Sequence, residues 1–227
     1  MLAGMTLDTL EYQTGPEPAA SIVVLHGLGA DGNDFVPIAQ ELDLLTGVGA
    51  VRYVFPHAPI RPVTINGGCR MRAWYDILGT DLARREDEAG LRASLADVQG
   101  LLDREAERGI APERTVLMGF SQGCAMTLLT GLRAPKRLAG LVCLSGYLPL
   151  AATTAAERSA ANSKTPIFMA HGQFDPVVPH AAGLASRDAL RTLGHEVEWH
   201  EYPMEHSVCP EEIGDLNRWL LKVLATA

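Results

Sequence analysis

The sequence predicts a single α/β domain built on a mostly parallel, twisted sheet with helices on both faces. Apolar runs of strand character alternate with segments of helical periodicity from end to end, and this alternation is typical of a parallel sheet covered by helices. The length of 227 residues suits one α/β domain. With 47% hydrophobic and 20% charged residues, the chain can bury a core without disulfides.

The predicted strands are short apolar runs typical of buried strands, except the one at 196–202, in which polar and apolar residues alternate. In chain order they span 21–26, 50–55, 114–119, 138–144, 166–170 and 196–202. The predicted helices carry apolar residues at helical spacing, and they span 34–45, 88–108, 121–132, 180–193 and 211–224.

Three segments fall outside this alternation. Residues 1–18 are an N-terminal segment that could add an edge strand to the domain at 19–227. Residues 57–80 contain prolines and paired glycines, and they predict a long excursion from the sheet. The Ala/Thr-rich stretch at 151–161 predicts a loop or a short helix rather than an interdomain linker.

Charge and cysteine usage exclude several classes of protein. The formal net charge of −8 argues against a nucleic-acid-binding face, which would need clustered Lys and Arg. The N-terminus has no basic region and no apolar run reaches ~20 residues, so neither a signal peptide nor membrane insertion is predicted. We therefore expect a cytoplasmic protein with free thiols at four widely spaced cysteines, Cys69, Cys124, Cys143 and Cys209.

A nucleophile motif stands between the strand at 114–119 and the helix that follows it. The sequence GFSQG, with Ser121 at its centre, matches G-x-S-x-G in the strand-to-helix context of a nucleophile elbow. The flanking glycines let a tight turn raise the hydroxyl above the sheet, and the helix N-terminus then points toward the reacting carbonyl. Ser121 is therefore the predicted nucleophile.

A serine hydroxyl needs a base to remove its proton and a carboxylate to orient that base. In this fold class the chain order is serine, acid, histidine. Asp175 follows the strand at 166–170 and His206 follows the strand at 196–202, and parallel strands collect such residues at one edge of the sheet. The other downstream histidines considered fit less well, because they precede a strand, lie within one or stand too close to Asp175: His195, His200 and His180.

An oxyanion site requires two N–H donors near the nucleophile. The backbone amide of Gln122, at the start of the elbow helix, is the first predicted donor. The second is the amide of Leu28, in the HGLG turn after the first buried strand. His26 in that turn is predicted to be a structural hydrogen-bonding residue rather than a catalyst.

Two competing interpretations of the motifs are weaker. The segment at 27–32 matches G-x-G-x-x-G, but the acidic residue that would bind a ribose about 20 residues later is missing. The sequence lacks HExxH and any familiar metal-ligand spacing. No cofactor and no metal are therefore predicted, and a non-catalytic binding module is disfavoured because all three triad residue types are present.

Six segments in order carry a resemblance to a known family: HGLGADG, FPHAP, NGG…WYDI, GFSQG, HGQFDPVVP and YPMEHSV. From about residue 19 to residue 224 the chain resembles the carboxylesterase / acyl-protein thioesterase (phospholipase/carboxylesterase) family of α/β hydrolases. The resemblance implies a single-domain α/β hydrolase without a separate lid domain. It assigns the same roles to Ser121, Asp175 and His206 and to the Leu28 and Gln122 amides, and it places Trp74 and Val178 along the acyl channel.

The resemblance also implies the activity. We predict a serine carboxylesterase that hydrolyses short to medium acyl esters through an acyl-enzyme, with acyl-protein thioesterase or lysophospholipase activity at the same site as the alternative. The expected partner is a small-molecule or lipid-like acyl ester, and a homodimer through the sheet-flanking face is compatible with the family. The sequence departs from the family pattern at three places, none of which removes a catalytic group: Cys124, the pair Cys69 and Arg70, and the pair Phe174 and Pro176. The departure at Cys69 and Arg70 bears on the channel wall and therefore on chain-length preference.

Overall fold

A computed structural model describes residues 7–79 and 85–225 of the chain. Residues 1–6 and residue 80, which belong to two of the predicted segments, lie outside the described part. The strands in chain order are β1 (Thr9–Gln13), β2 (Ala20–Leu25), β3 (Val51–Pro56), β4 (Ile60–Val63), β5 (Cys69–Arg72), β6 (Thr115–Phe120), β7 (Gly140–Leu144), β8 (Ile167–Gly172) and β9 (Val197–Tyr202).

Seven of these strands form one sheet in the order β1-β3-β2-β6-β7-β8-β9. All neighbouring pairs from β3 to β9 are parallel, and β1 pairs antiparallel with β3 at the edge. A residue outside the sheet also holds the edge strand β1 in place: the guanidinium of Arg108 donates to both carboxylate oxygens of Glu11. The predicted mostly parallel sheet is confirmed.

Helices cover both faces of the sheet. They are α1 (Val36–Glu41), α2 (Leu45–Val48), α3 (Glu88–Glu107), α4 (Gln122–Gly131), α5 (Ala151–Glu157), α6 (His180–Thr192) and α7 (Pro210–Ala225). Successive strand residues point to opposite faces, and Val23 joins the core cluster of α3, α4 and α6 while Val24 joins that of α1 and α7. Burial on both faces explains why the strands read as continuous apolar runs.

Two predicted segments differ in detail from the structure. The helix expected at 34–45 is two shorter helices, because Leu42 adopts an extended conformation and is buried with Leu44 between α1 and α2. The excursion at 57–80 contains a hairpin in which β4 pairs antiparallel with β5. Pro62 and the charged residues of the hairpin interrupt the alternation of polar and apolar residues that would have predicted two strands here. A two-stranded sheet tolerates proline because both of its strands are edge strands.

Two further features of the described residues bear on sequence predictions. The described cysteines Cys69, Cys124, Cys143 and Cys209 are all free thiols. Within residues 7–79 and 85–225, every helix is too short or too polar to cross a lipid bilayer.

Glu212, in the first turn of α7, is a buried carboxyl in the helix layer. Its residue exposure is 0%. Burial raises the pKa of Glu212 to about 8, Asp215 adds to the increase, and the nearby backbone of Cys209 offsets part of it. The carboxyl is therefore neutral in the folded protein up to about pH 8, whereas in the unfolded chain it ionises near its ordinary value of 4.5.

The Glu212→Gln variant should flatten the pH dependence of stability. Between about pH 4.5 and pH 8 the unfolded wild-type chain binds fewer protons than the folded protein, so the free energy of unfolding falls as the pH rises. The contribution of this one group between pH 5 and pH 8 is up to about 4 kcal/mol. Urea unfolding of both proteins at these two pH values measures it, and equal pH dependence in the two proteins would contradict the assignment.

Candidate active site

Ser121 occupies a strained turn between β6 and α4. Its backbone has φ 56° and ψ −116°, a conformation that costs a non-glycine residue about 1–3 kcal/mol and that collects at functional sites. A side chain on Gly119 would collide with the backbone of Gly123, and a side chain on Gly123 would collide with the carbonyl of Leu25. The two glycines of the motif are therefore required by the close approach of β6, α4 and β2.

Asp175 and His206 meet at the carboxyl end of the sheet. The Nδ1–H of His206 donates to Oδ2 of Asp175 at 2.6 Å. The other carboxylate oxygen, Oδ1, accepts from the backbone N–H groups of Val177 at 2.8 Å and Val178 at 2.9 Å. The Asp175 side chain is fully buried. Because the carboxylate holds the proton of His206 on Nδ1, the Nε2 atom keeps a lone pair that can accept a proton.

The His206 imidazole lies beside the elbow. Its ring centroid is 4.7 Å from that of Phe120, the residue immediately before Ser121. The three predicted triad residues thus come from the ends of β6, β8 and β9, which share one edge of the parallel sheet. Such a constellation of hydroxyl, imidazole and carboxylate is the arrangement used for nucleophilic acyl transfer.

A cavity of about 430 Å³ opens beside Ser121, a size common for small-molecule sites. Apolar side chains predominate in its wall, and four of the predicted site residues line it. The lining residues are Leu28, Ile65, Asn66, Tyr75, Ile77, Ser121, Gln122, Tyr147, Pro176, Val177, Val178 and Pro179.

Gln122 connects the elbow to the excursion. As the first residue of α4 it has no intrahelical acceptor for its backbone N–H, which leaves that donor beside Ser121. Its side-chain amide accepts from the Trp74 backbone N–H at 2.8 Å and donates to the Tyr75 carbonyl at 2.7 Å. Leu28, the other predicted oxyanion donor, lies in the loop after β2 and lines the same cavity.

Trp74 lies next to the HGLG turn. It is 0% exposed, and its indole N–H donates to the His26 carbonyl at 2.9 Å. Trp74 is not among the residues that line the cavity, and this hydrogen bond ties it to the HGLG turn, whereas Val178 lies in the cavity wall. His26 fixes that turn, since its Nδ1 bonds the Gly27 carbonyl and its Nε2 accepts from Ala58 N–H.

No role is predicted from the sequence for three further residues of the site. Tyr75 and Tyr147 line the cavity. His171, at the end of β8, is buried with its Nε2 at 2.9 Å from the Val178 carbonyl and 3.5 Å from Oδ2 of Asp175, and burial lowers the pKa of His171. The position of Tyr147 and His171 in the sequence could have pointed to them, because both stand at the ends of predicted strands on the same edge of the sheet as Ser121.

Residues 11–224 match the sequence model of the family described as phospholipase/carboxylesterase. The chain belongs to this family. The match covers all the elements from β2 to α7 that build the site, and it confirms the resemblance carried by the six sequence segments. Membership identifies the protein as a serine hydrolase that acts on ester or thioester bonds.

Individual members of the phospholipase/carboxylesterase family are similar over nearly the whole chain. An acyl-protein thioesterase 1 from Mycosarcoma maydis is 42% identical over 226 residues, covering 93% of this chain and 94% of the relative. An acyl-protein thioesterase 1 from Gibberella zeae is 39% identical, with 95% of each chain covered. The crystal structure of Zea mays acyl-protein thioesterase 2 superposes with a TM-score of 0.83 at 30% identity, covering 96% of this chain and 99% of that one.

Proposed function

We propose that the protein is an acyl-protein thioesterase, which releases fatty acyl groups from cysteine thiols of proteins. The names of its relatives favour this alternative over the short-chain carboxylesterase predicted first from the sequence. The observation that supports the mechanism is the hydrogen bond between His206 and Asp175 beside the Ser121 elbow.

In the proposed reaction, Nε2 of His206 accepts the proton of Ser121 as its hydroxyl oxygen attacks the acyl carbonyl. Asp175 stabilises the imidazolium and keeps the ring oriented, because both of its carboxylate oxygens are fixed by hydrogen bonds. The backbone amides of Leu28 and Gln122 would bind the developing oxyanion, and one such donor is worth about 3–4 kcal/mol of transition-state stabilisation.

The leaving group completes the first half of the reaction. The imidazolium of His206 gives its proton to the departing thiol, and the acyl group stays on the Ser121 oxygen. A water molecule then loses a proton to His206 and attacks the acyl-enzyme, which releases the carboxylic acid. The proposed cycle uses side chains and backbone amides of the protein together with water.

The partner and the compartment follow from the same proposal. The substrate would be an acylated protein or a smaller acyl ester or thioester whose chain enters the cavity beside Ser121. A cytoplasmic location agrees with the free thiols of Cys69, Cys124, Cys143 and Cys209.

A matched pair of peptides tests the thioesterase proposal. One peptide carries an octanoyl group on cysteine, and the other carries it on serine at the same position. We expect kcat/KM for the thioester to exceed that for the oxygen ester by at least about tenfold, because a thiolate is the better leaving group. Mass spectrometry after phosphonofluoridate treatment should find the label on Ser121. A preference for the oxygen ester would contradict the thioesterase assignment, and a label on another residue would contradict the triad.

A further inference from the structure

A second histidine, His171, lies near the carboxylate of Asp175. It is the last residue but one of β8, and its side chain is 1% exposed. Its Nε2 atom is 3.5 Å from Oδ2 of Asp175, the oxygen that accepts the Nδ1–H of His206. The same nitrogen is 2.9 Å from the carbonyl oxygen of Val178. Because a carbonyl oxygen can only accept, Nε2 of His171 carries a proton and donates it to Val178.

Hydrogen bonds close residues 175–178 into a turn, which we call the acid turn. Oδ1 of Asp175 accepts from the N–H groups of Val177 at 2.8 Å and Val178 at 2.9 Å. The carbonyl of Val178 in turn accepts from His171, so both backbone polar groups of Val178 are bonded, one to Asp175 and one to His171. The strand that carries His171 therefore also holds the turn that orients the Asp175 carboxylate.

The His171 ring has little freedom to move. The indole of Trp199, on β9, stacks with it at a centroid distance of 6.3 Å and an interplanar angle of 27°. On α6, a β-carbon added to Gly183 would lie 2.5 Å from Nδ1 of His171 and 3.0 Å from the Trp199 indole. Burial lowers the pKa of His171, so the ring is neutral at neutral pH and its one N–H proton stays on Nε2.

We propose that His171 is a positioning residue, which holds the acid turn so that Oδ2 of Asp175 stays aligned with Nδ1 of His206. The inference rests on the proposed function, in which Asp175 orients the imidazole of His206. Val178 is 4% exposed, and a buried carbonyl that loses its donor is unfavourable, so the acid turn would rearrange without His171. A displacement of about 1 Å within such a constellation can cost about 10²-fold in rate.

Two substitutions at His171 separate the hydrogen bond from simple occupancy of the space. His171→Leu removes the donor, whereas His171→Gln keeps an N–H donor that can reach the position of Nε2. On the octanoyl cysteine peptide we expect His171→Leu to lower kcat by about 10–100-fold. KM should change less than kcat, because the cavity wall outside the acid turn is unaltered. His171→Gln should recover most of the lost kcat.

Nuclear magnetic resonance tests the proposal in the unmodified protein. Two-bond ¹H–¹⁵N correlations of histidine-labelled wild type should show His171 as the neutral tautomer with its proton on Nε2. The low-field ¹H resonance of the Nδ1 proton of His206 reports its hydrogen bond to Asp175. This resonance should shift or broaden in His171→Leu and return in His171→Gln.

His195→Leu is the matched control for His171→Leu. His195 is also a buried histidine, 5% exposed, and neither of its ring nitrogens has a hydrogen-bond partner among residues 7–79 and 85–225. It precedes β9, at the opposite end of that strand from His206. Both kcat and the low-field resonance should therefore equal those of wild type.

The possible results distinguish this inference from the proposed function. Equal kcat in wild type and His171→Leu, an equal loss in His171→Leu and His171→Gln, or a His171 proton on Nδ1 would each overturn the positioning role, while hydrolysis that depends on Ser121 leaves the proposed function intact. If His171→Leu does not fold, a kcat of His171→Gln more than about tenfold below wild type overturns the role. If wild type hydrolyses no acyl thioester, or does so without Ser121, the proposed function and the inference fail together.

Discussion

Substitution of Ser121 by alanine should reduce kcat for thioester hydrolysis by at least about 10⁴-fold. The variant keeps the cavity and the His206–Asp175 pair but has no oxygen to form the acyl-enzyme. KM should change little, because the other residues that line the cavity are unchanged. Steady-state kinetics on the octanoyl cysteine peptide measures the loss, and circular dichroism verifies the fold.

Ser21→Ala is the matched control for the nucleophile. Ser21 is also a buried serine, and its hydroxyl has no hydrogen-bond partner among residues 7–79 and 85–225. It lies at the opposite end of β2 from the HGLG turn, so full activity is expected. Activity of Ser121→Ala within tenfold of wild type would exclude Ser121 as the nucleophile.

Asp175→Asn should lower kcat by about 10⁴-fold with an intact fold. The site of Oδ1 accepts two backbone N–H groups, from Val177 and Val178, and only the oxygen of an amide can occupy it. The amide NH₂ of the variant must therefore face Nδ1 of His206. The imidazole then carries its proton on Nε2 and cannot accept one from Ser121.

Asp188→Asn is the matched control for Asp175→Asn. Asp188→Asn removes a carboxylate that is paired with Arg187 on the exposed side of α6, and its kinetics should match those of wild type. Thermal unfolding of Asp175→Asn should remain cooperative. A fall in kcat of less than tenfold would show that Asp175 does not control the proton of His206.

The parallel sheet and the family could be predicted because their signals are local. The buried strands before Ser121 and Asp175 appear in the sequence as apolar runs, and the strand before His206 appears as an alternating segment. In a parallel sheet such positions converge on one edge, so their proximity follows from the chain order. The structure shows the contact between Asp175 and His206, and the catalytic roles of the three residues remain predictions.

The cavity could not be predicted in the same way. Tyr75 and Tyr147 are 72 positions apart, and their contact depends on how the excursion packs on the loop after β7. The sequence likewise does not show which of Trp74 and Tyr75 lines the cavity, because neighbouring residues in an irregular segment have no fixed alternation. The break at Leu42 between α1 and α2 likewise reflects tertiary burial rather than helix propensity.

Gln122 joins two tasks in one residue, and this restricts how the site can evolve. Its main chain lies next to Ser121, and its side chain forms hydrogen bonds with the backbone of Trp74 and Tyr75. An insertion or deletion near residue 74 would therefore displace the start of α4, next to Ser121. New substrate preferences are therefore more accessible through exchanges of the side chains that line the cavity than through changes in the length of the excursion at 57–80.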